Sequence, residues 1–524
     1  MKSSFSFKSV WLVLGLAFFF IILFLPTFPF FHHTAQQIVQ EHRADIDPAV
    51  IALSMQSVFA LFLLMVIWWI GEAVPLPITA LLPAVVLPFL HVTGISETTL
   101  YEFTIKNTLL SYSNPVIYLF LGGFLIAAAM QKWRLDRRLT LWLLTRGSFA
   151  NNSQSILLSM MGVSAFLSMW ISNTATTAMM LPLGLGILRL MNLKPGESQF
   201  GVALMLGIAW GASIGGVGTI IGTPPNGIAL GILNSTFAAD PSYQRMTFFD
   251  WMKFGVPYVI IMVPLAWKIL LYLNPPEISS LPGGKEQLER ERATLGTMSR
   301  GEKLTITAFL LAVFLWITNP FWNILLPEFL TKQMSWIDEY SIGLLVGTLC
   351  FILPVNFRKG EFLLDWHDTK FVDWGTLILF GGGIALSDAM FKTGFASWIA
   401  TTFVSVLGTP STLVMMFAVV LLVDFLTEVT SNTAVTSMMV PIVIAIAQTS
   451  GENPVSLAIA AAVAASMAFM LPVATPPNAL VYGTGYITVK QMIRNGFALD
   501  ILGWLLTIGI LYFLAGQVFG ILKF

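Results

Sequence analysis

The chain has 524 residues, of which 56% are hydrophobic and 10% are charged, whereas roughly a quarter of the residues in a typical soluble protein are charged. Lys plus Arg and Asp plus Glu number 27 each, so the formal net charge is zero. These values exclude a disordered chain and a nucleic-acid binder that works through bulk charge. They indicate a bilayer environment, because one soluble domain could not bury so much apolar surface. The single cysteine, Cys350, excludes internal disulfides and cysteine-based zinc clusters.

Eleven apolar segments are long enough, or nearly so, to cross a bilayer core, which takes about 20 residues. In chain order they are 10–31, 51–71, 76–90, 115–130, 200–232, 252–273, 304–326, 342–353, 374–390, 457–482 and 497–522. The first follows Lys2 and Lys8 as a signal peptide would, but it is too long and lacks a cleavage site, so we interpret it as a retained span. Two further apolar regions, 156–191 and 413–448, are interrupted by a polar tripeptide, which predicts two re-entrant helical hairpins.

The distribution of positive residues predicts the orientation of the chain. Lys2 and Lys8 place the N-terminus inside, and the basic clusters at 132–138, 285–303 and 358–370 fall on the same side when the spans are counted. The sequence therefore predicts an all-α, multi-pass protein with 11 transmembrane helices, a cytoplasmic N-terminus and an external C-terminus. Without a targeting segment, the default location is a bacterial inner membrane.

Three short signatures occur twice in the same order. Leu-Gly-Gly at 121–123 resembles Gly-Gly-Gly at 381–383, Ser-Asn-Thr-Ala at 172–175 recurs at 431–434, and Gly-Thr-Pro-Pro-Asn at 222–226 resembles Ala-Thr-Pro-Pro-Asn at 474–478. The copies are 260, 259 and 252 residues apart (382 − 122, 431 − 172 and 476 − 224). Chance similarity of two packing motifs is the alternative, but it does not account for three separated signatures. Because span 115–130 runs outside to inside and span 374–390 runs the other way, the halves form an inverted repeat, which is typical of secondary transporters.

The repeat divides the chain into four predicted parts. These are an N-terminal span and outer loop at 1–50; a first inverted repeat at 51–273, with a hairpin at 153–192 and a broken helix at 200–232; a cytoplasmic loop at 274–303; and a second inverted repeat at 304–524, with a hairpin at 411–448 and a broken helix at 455–488.

A Ser-Asn-Thr tripeptide in an apolar region is costly unless its polar groups are paired. One interpretation is a hydrogen-bonded seam between helices. The other is a hairpin whose tip stops near mid-membrane, where it exposes carbonyl groups at one helix end and N–H groups at the next helix start. In that case Ser172 and Ser431 could cap the helices that follow.

The Thr-Pro-Pro-Asn motif predicts a second break in each half. Two adjacent prolines remove two backbone donors and exclude helical geometry from the preceding residue. A plain proline kink is the alternative. Unwound backbone at membrane depth is tolerated only where protein buries it or a cavity hydrates it, so two copies at corresponding positions favour a binding site.

Together the tips and breaks supply carbonyl, hydroxyl and amide oxygens, which suit Na⁺, and helix N-termini, which suit an anion. The motifs contain no Lys, Arg or His. An anion of charge two would therefore be held by hydroxyls, amides, helix dipoles and bound cations. The cations would then strengthen anion binding, and the reverse would hold by linkage.

Three acidic residues lie near the second copy of the motifs. Asp424 and Glu428 precede the second tip and have no counterpart in the first half, where Ala165 and Met169 stand. Intramembrane carboxylates are functional candidates. Three roles are open for Asp424 and Glu428: a proton relay, a hydrogen-bonded brace for the hairpin, or exposure to water. The brace and exposure are favoured over the relay. The same roles are open for Asp388.

The paired Ser-Asn-Thr tips followed by Thr-Pro-Pro-Asn breaks resemble those of the divalent anion:sodium symporter family, which includes dicarboxylate, citrate and sulfate carriers. The resemblance extends from about residue 51 to the C-terminus and implies a homodimer in which each protomer has a scaffold domain and an elevator-type transport domain. It implies one sodium site formed by Ser168, Ser172, Asn173 and the backbone of Gly222, and a second formed by Thr427, Ser431, Asn432 and the backbone of Ala474. It also implies substrate contacts from Asn173, Thr174, Asn432 and Thr433, with Thr223, Pro224, Thr475 and Pro476 lining the same pocket.

The expected function is Na⁺-coupled symport of C4-dicarboxylates such as succinate, malate and fumarate, or of citrate. Both tips read Ser-Asn-Thr, which fits carboxylate carriers better than sulfate carriers, and Ser168 and Thr427 favour sodium coupling. The alternatives are a dicarboxylate exchanger and a carrier of sulfate or another inorganic anion. A channel would need a continuous polar pore rather than two symmetric tips that end inside the membrane. An enzyme is not predicted, because the sequence has no repeated Ser-His, paired catalytic Asp or metal signature. The expected partners are the substrate, sodium ions, the lipid bilayer and a second copy of the chain.

Overall fold

The computed structural model describes residues 7–145, 152–241, 243–278, 284–408 and 411–519. Lys2 and residues 520–522 of the last predicted span lie outside these ranges. In the first part of the chain the elements are α1 (Phe7–Phe24), α2 (Pro29–Glu41), α3 (Pro48–Ile70), α4 (Leu76–Thr79), α5 (Leu82–Phe89), β1 (Thr93–Ser96), β2 (Thr99–Glu102), α6 (Ile105–Leu109), α7 (Pro115–Lys132), α8 (Leu135–Thr145), α9 (Ser153–Ser168), α10 (Asn173–Leu190), α11 (Gln199–Gly216), α12 (Pro224–Thr236) and α13 (Phe248–Leu273).

The later elements repeat much of this order. They are α14 (Gly284–Thr294), α15 (Arg300–Thr318), α16 (Trp322–Leu325), α17 (Glu328–Gln333), α18 (Glu339–Ile352), β3 (Pro354–Asn356), β4 (Glu361–Phe362), α19 (Trp374–Thr393), α20 (Phe395–Leu407), α21 (Thr412–Val429), α22 (Asn432–Thr449), α23 (Pro454–Ala464), α24 (Pro476–Tyr482) and α25 (Val489–Phe519). The strands form two separate antiparallel hairpins, β1–β2 and β3–β4. The protein is therefore mostly helical, as the sequence predicts.

Ten helices among the described residues are long and apolar enough to cross a membrane. Eight of the ten correspond to predicted spans, and the other two, α21 and α22, form the predicted second hairpin. The count of 11 spans stays a prediction, because α4–α5, α18 and α23 are shorter. The first helix ends at Phe24 rather than at residue 31, since Pro26 disfavours helical geometry at the residue before it. The predicted span at 304–326 likewise stops being α-helical at Thr318, just before Pro320.

Corresponding helices in the two halves occupy corresponding places. α7 and α19, α8 and α20, α9 and α21, and α10 and α22 start 259 or 260 residues apart (374 − 115, 395 − 135, 412 − 153 and 432 − 173). Phe120 of α7 and Phe380 of α19 meet edge to face, with ring centroids 4.6 Å apart. The halves therefore contact each other through residues that the repeat itself relates.

The broken helices lie at the centre of the molecule. Every residue of α11 from Phe200 to Gly216 is buried, and so is every residue of α23 from Val455 to Ala464. Helices of the two halves pack against each other here: α11 contacts α24, and α12 contacts α22 and α23. The hairpins pack around this centre, α9 and α10 on α11 and α21 and α22 on α23.

The repeated glycines mark a close helix contact in each half. A Cβ on Gly122 would overlap the carbonyl oxygen of Gly343 in α18, and a Cβ on Gly382 would overlap the carbonyl oxygen of Ala80, between α4 and α5. The glycine signature therefore lets α7 and α19 approach their neighbouring backbones closely.

We expect Gly122→Ala to lower the free energy of unfolding by about 1–3 kcal/mol, the usual cost of overpacking. The melting temperature of the purified protein in detergent measures the change. Gly162→Ala is the matched control, because a Cβ there has nothing within 4 Å and alanine favours the helix. Equal melting temperatures for the two variants would contradict this account of the glycine contact.

Candidate functional site

The two hairpin tips have the same internal geometry. In the first, α9 ends at Ser168 and α10 begins at Asn173, and the Ser168 hydroxyl donates to Asn173 Oδ1 at 2.6 Å. In the second, the Thr427 hydroxyl is 2.7 Å from Asn432 Oδ1 and 2.8 Å from the carbonyl oxygen of Ala465. Ser168 and Thr427 are fully buried. Each tip therefore holds its asparagine by a hydroxyl from the preceding helix.

The capping prediction is right for one tip and wrong for the other. Ser172 accepts a hydrogen bond from the backbone N–H of Ala175 and caps α10, whereas the side chain of Ser431 makes no capping bond to α22. The opposite asymmetry occurs at the breaks: Thr475 caps α24, and Thr223 does not cap α12. The hydroxyls of Ser431 and Thr223 thus remain available for other contacts.

The paired prolines break both central helices, as predicted. α11 ends at Gly216 and α12 begins at Pro224, with a short 3₁₀ turn between them. α23 ends at Ala464, and α24 begins at Pro476. The two prolines of each pair occupy the first two positions of a new helix, where an N–H group would have no helical partner in any case.

One asparagine ties each break together. Asn226 Nδ2 donates to the carbonyl oxygens of Gly216 at 3.0 Å and Thr219 at 2.8 Å. The Gly216 carbonyl at the end of α11 would otherwise have no helical partner, whereas the Thr219 carbonyl also accepts from the backbone N–H of Gly222. Asn478 repeats the arrangement on Ala468 and Leu471, at 3.0 and 3.1 Å.

Both tips and both breaks line one cavity of about 930 Å³. Of the residues proposed for substrate or sodium, those that line it are Ser172, Asn173, Thr174, Gly222, Thr223, Pro224, Ser431, Asn432, Thr433, Ala474, Thr475 and Pro476. Ser168 and Thr427 are not part of the lining and lie behind the tips, in contact with Asn173 and Asn432. The structure therefore brings all fourteen predicted site residues to one place.

Four helices, α10, α12, α22 and α24, begin at residues that line this cavity. All four N-terminal ends carry positive partial charge, which favours an anion. Only α10 and α22 also offer N–H groups at their first positions, because α12 and α24 begin with two prolines. Lys8 is the one basic residue among the described residues of the lining, and Glu72 and Asp373 are the acidic ones. None of the three belongs to the repeated motifs, so helix ends, hydroxyls and amides set the electrostatics around the tips.

The oxygen atoms near the tips fit an alkali cation. They are neutral hydroxyl, amide and carbonyl oxygens, the hard ligands that such ions prefer. Within the described ranges, no three or more His, Cys, Asp or Glu side chains are placed to hold a metal ion together. The donor set thus suits sodium better than a transition metal.

Glu428 is a brace, one of the alternatives left open by the sequence. It is 2% exposed, and its carboxylate accepts from the backbone N–H groups of Phe469, Met470 and Leu471 at 2.6, 2.7 and 2.9 Å. Exposure to water is therefore wrong for this residue. The brace joins the hairpin helix α21 to the unwound segment between α23 and α24.

Two other carboxylates have different surroundings. Asp388 in α19 accepts from the hydroxyls of Ser111 and Ser235 at 2.8 and 2.7 Å, so it ties the end of α12 to the neighbouring half. Asp424 is buried beside Glu428, and its Oδ1 has no hydrogen-bond partner among the described residues. Sequence reasoning missed Asp500 of α25, which is buried against Glu428.

Comparison with known proteins identifies relatives along nearly the whole chain. The family model described as "Sodium:sulfate symporter transmembrane region" matches residues 47–520. The sodium-dependent dicarboxylate transporter SdcS of Staphylococcus saprophyticus is 38% identical over 483 residues, which cover 90% of this chain and 88% of the relative. The SdcS protein of Staphylococcus aureus strain USA300 is 35% identical over 512 residues, covering 95% and 91%.

Two solved structures share the fold. The YdaH transporter of Alcanivorax borkumensis aligns with a TM-score of 0.56 at 13% identity, over 87% of this chain and 98% of that chain. MtrF of Neisseria gonorrhoeae aligns with a TM-score of 0.54 at 14% identity, over 87% and 96%.

We expect Glu428→Gln to lower the free energy of unfolding by about 1–3 kcal/mol. Glutamine keeps one acceptor oxygen but sets an NH₂ group against a backbone N–H that Glu428 now satisfies. The melting temperature in detergent measures the change. Glu328→Gln, at an exposed site in α17, should change the free energy by less than about 0.5 kcal/mol; a similar loss in both variants would argue against the brace.

Proposed function

Since the chain belongs to the sodium:sulfate symporter family, we propose that it is a sodium-coupled symporter of C4-dicarboxylates such as succinate, malate and fumarate, or of citrate. It is a multi-pass membrane transporter and not an enzyme. The observation that carries the substrate proposal is the cavity in which both Ser-Asn-Thr tips and both Thr-Pro-Pro breaks meet. The names of the relatives in the two staphylococci support sodium and dicarboxylate over sulfate.

In this proposal the tips bind the two carboxylates of the substrate. Asn173 and Thr174 begin α10, and Asn432 and Thr433 begin α22, so their side chains and the first N–H groups of those helices serve one carboxylate in each half. Hydrogen bonds to a charged group contribute about 1.5–3 kcal/mol each. The remaining wall comes from the residues that open α12 and α24, namely Thr223, Pro224, Thr475 and Pro476.

The sodium sites are proposed behind each tip. The first would use Ser168, Ser172, Asn173 and the carbonyl of Gly222, and the second Thr427, Ser431, Asn432 and the carbonyl of Ala474. A bound sodium ion supplies positive charge that offsets the charge of the substrate. The hydroxyl–amide contacts of 2.6 and 2.7 Å hold two of these oxygens together in each half, so little rearrangement is needed to present them to one cation.

The same arrangement provides coupling. Each tip asparagine is proposed both as a sodium ligand and as a substrate contact. Filling the cation sites would fix Asn173 and Asn432 in the orientation that the carboxylates need. Binding of the cations and of the dianion then strengthen each other by the same factor.

We further propose an elevator-type movement, a homodimer, and a bacterial inner membrane with the N-terminus inside and the C-terminus outside. The hairpins and broken helices pack on one another as one group, α9 on α11 and α22 on α23, which suits a unit that moves together.

Lys8, Glu72 and Asp373 line the same cavity as the tips, and all three lie on the predicted cytoplasmic side. The cavity is therefore proposed to open to the cytoplasm. The homodimer rests on the family resemblance alone.

Proteoliposomes test the function directly. Uptake of labelled succinate should depend on an inward sodium gradient, and replacing sodium with choline should abolish it. Uptake that continues without sodium would rule out symport, and uptake only against internal dicarboxylate would support an exchanger. Unlabelled sulfate and citrate added as competitors of labelled succinate separate the substrate classes.

Asn173→Ala and Asn432→Ala should each lower succinate uptake at least about tenfold, because a hydrogen bond to a charged group is worth about 1.5–3 kcal/mol. Both variants should elute from a size-exclusion column like the parent protein. Asn107→Ala is the control, since Asn107 is half-buried outside the cavity and its side chain bonds only locally, to the Glu102 carbonyl. Unchanged uptake in either tip variant would remove that asparagine from the site.

Cysteine labelling tests the orientation. In a Cys350→Ser background, Val473→Cys introduces a thiol in the cavity, and Ile324→Cys introduces one at the outer end of the predicted span 304–326. The parent residues are 81% and 83% exposed. A membrane-impermeant maleimide should label position 473 faster from the cytoplasmic side and position 324 only from outside. The reverse pattern would invert the proposed topology.

A further inference from the structure

The C-terminal end of α12 carries two adjacent polar residues, Asn234 and Ser235, that bond helices outside the proposed moving unit. That unit consists of the hairpins and the broken helices, α9–α12 and α21–α24. α12 begins with Pro224 at the cavity, and at 1.5 Å per residue the two polar residues lie about 15 Å further along it. By the predicted topology this end of α12 is on the outer side, opposite the proposed cytoplasmic opening of the cavity.

Ser235 bonds a carboxylate of α19. Its hydroxyl donates to Asp388 Oδ1 at 2.7 Å, and the hydroxyl of Ser111 donates to Asp388 Oδ2 at 2.8 Å. Lys392, one turn further along α19, lies 4.0 Å from Asp388 Oδ2 and balances its charge. Asp388 thus receives one hydroxyl from the moving unit and one from the segment 111–113, which packs against α19 itself.

Asn234 bonds a tyrosine of α18. Its Nδ2 donates to Tyr340 Oη at 3.0 Å, and its Oδ1 accepts from Tyr243 Oη at 2.8 Å. Tyr243 lies in the loop that follows α12, so only the bond to Tyr340 reaches a helix outside the moving unit. Arg245 of the same loop adds to this contact, because its Nη2 is 3.4 Å from Glu339 Oε1 and its Cζ lies 4.3 Å from the centre of the Tyr340 ring.

α18 and α19 have close partners outside the moving unit. The backbone of α18 meets that of α7 at Gly343 and Gly122, and the backbone of α19 meets the segment between α4 and α5 at Gly382 and Ala80. α18 also packs on α15, and α19 on α3. A movement of the unit against the rest of the molecule would therefore have to separate the end of α12 from these two helices.

We propose that these contacts form a latch that holds the moving unit in its inward-facing position. The latch consists of three pairs, Ser235–Asp388, Asn234–Tyr340 and Arg245–Glu339. The inference rests on the proposed elevator-type movement and adds the contacts that set its resting state. A hydrogen bond is lost when its donor and acceptor separate much beyond about 3.2 Å, so a shift of a few ångströms along α18 and α19 breaks the pairs together. The latch stabilises only the inward-facing state and thereby raises its population.

The distance between two spin labels tests the latch without measuring transport. In a Cys350→Ser background, Val473→Cys places one label in the moving unit, between α23 and α24, and Ile324→Cys places the other in α16. The two positions lie on opposite predicted sides, so the distance between the labels should shorten when the unit moves outward. Double electron–electron resonance on the protein in lipid nanodiscs, with and without sodium and succinate, gives the ratio of the long, inward-facing distance to the short, outward-facing one.

Ser235→Ala should lower the ratio of inward-facing to outward-facing molecules at least about tenfold, because it removes a hydrogen bond to a charged group across the boundary of the moving unit. Ser111→Ala is the matched control. It removes the other hydroxyl bound to the same carboxylate, but from a segment outside the moving unit, so the ratio should change by less than about threefold. Equal shifts in the two variants would show that Asp388 acts only through local packing and would remove it from the latch.

Tyr340→Phe and Tyr243→Phe test the second pair in the same way. Each removes one hydroxyl bonded to the Asn234 amide, but only Tyr340 belongs to a helix outside the moving unit. Tyr340→Phe should lower the ratio about fivefold, the scale of one neutral hydrogen bond, and Tyr243→Phe should leave it within about twofold. Melting temperatures identify any variant that fails to fold, and the pair of serine variants then decides.

The outcomes also separate the latch from the proposed function. A parent protein that shows one distance under every condition would overturn the movement and the latch with it, whereas symport would still be decided by sodium-dependent uptake. A parent protein that shows two distances, in a ratio that neither Ser235→Ala nor Tyr340→Phe changes, would leave the movement in place and overturn the latch.

Discussion

The structure depends on how backbone polar groups are satisfied where the two central helices break. An unpaired backbone group in an apolar interior costs several kcal/mol, and a helix that ends at a break leaves carbonyls without a helical partner. Asn226 and Asn478 tie the carbonyls on one side. On the other side, α12 and α24 begin with two prolines, which have no N–H group that needs a partner. The asparagine ties and the paired prolines therefore leave few backbone groups of the breaks without a partner.

The two halves meet this constraint with different side chains. In the second half, Glu428 accepts three backbone N–H groups of the unwound segment. Met169 stands at the corresponding position of the first half and offers no carboxylate. There the Thr219 hydroxyl donates to the Met169 carbonyl at 2.5 Å, and Trp251 Nε1 donates to the Val217 carbonyl at 2.9 Å. Duplication thus preserved the backbone path and the asparagine ties, whereas the local braces differ.

Much of this could be predicted from the sequence, because the strongest signals are local. Paired prolines must start a new helix, and a polar tripeptide in an apolar region must find partners, so both breaks and both tips follow from residue type. The helices α8 and α20 were missed because, with 11 and 13 residues, they are too short to be recognised as membrane spans. The failure of Ser431 to cap α22, and the contact of Glu428 with three backbone groups, depend on tertiary geometry that residue spacing does not encode.

The proposed need for sodium follows from the charge that the cavity can offer. A helix N-terminus carries roughly half a positive charge, and three of the four helices that begin at the cavity, α10, α12 and α22, have 13 to 18 residues. Together they offer on the order of 1.5 positive charges. The amount available to a ligand is smaller, because the Ser172 hydroxyl already accepts one N–H group at the start of α10. This falls short of the two negative charges of a dicarboxylate, and no basic side chain of the motifs makes up the difference. Sodium ions bound behind the tips would supply the missing positive charge, but only while they are bound. A substrate site built from neutral groups is therefore well suited to coupling, because its affinity for the dianion depends on ions that can leave.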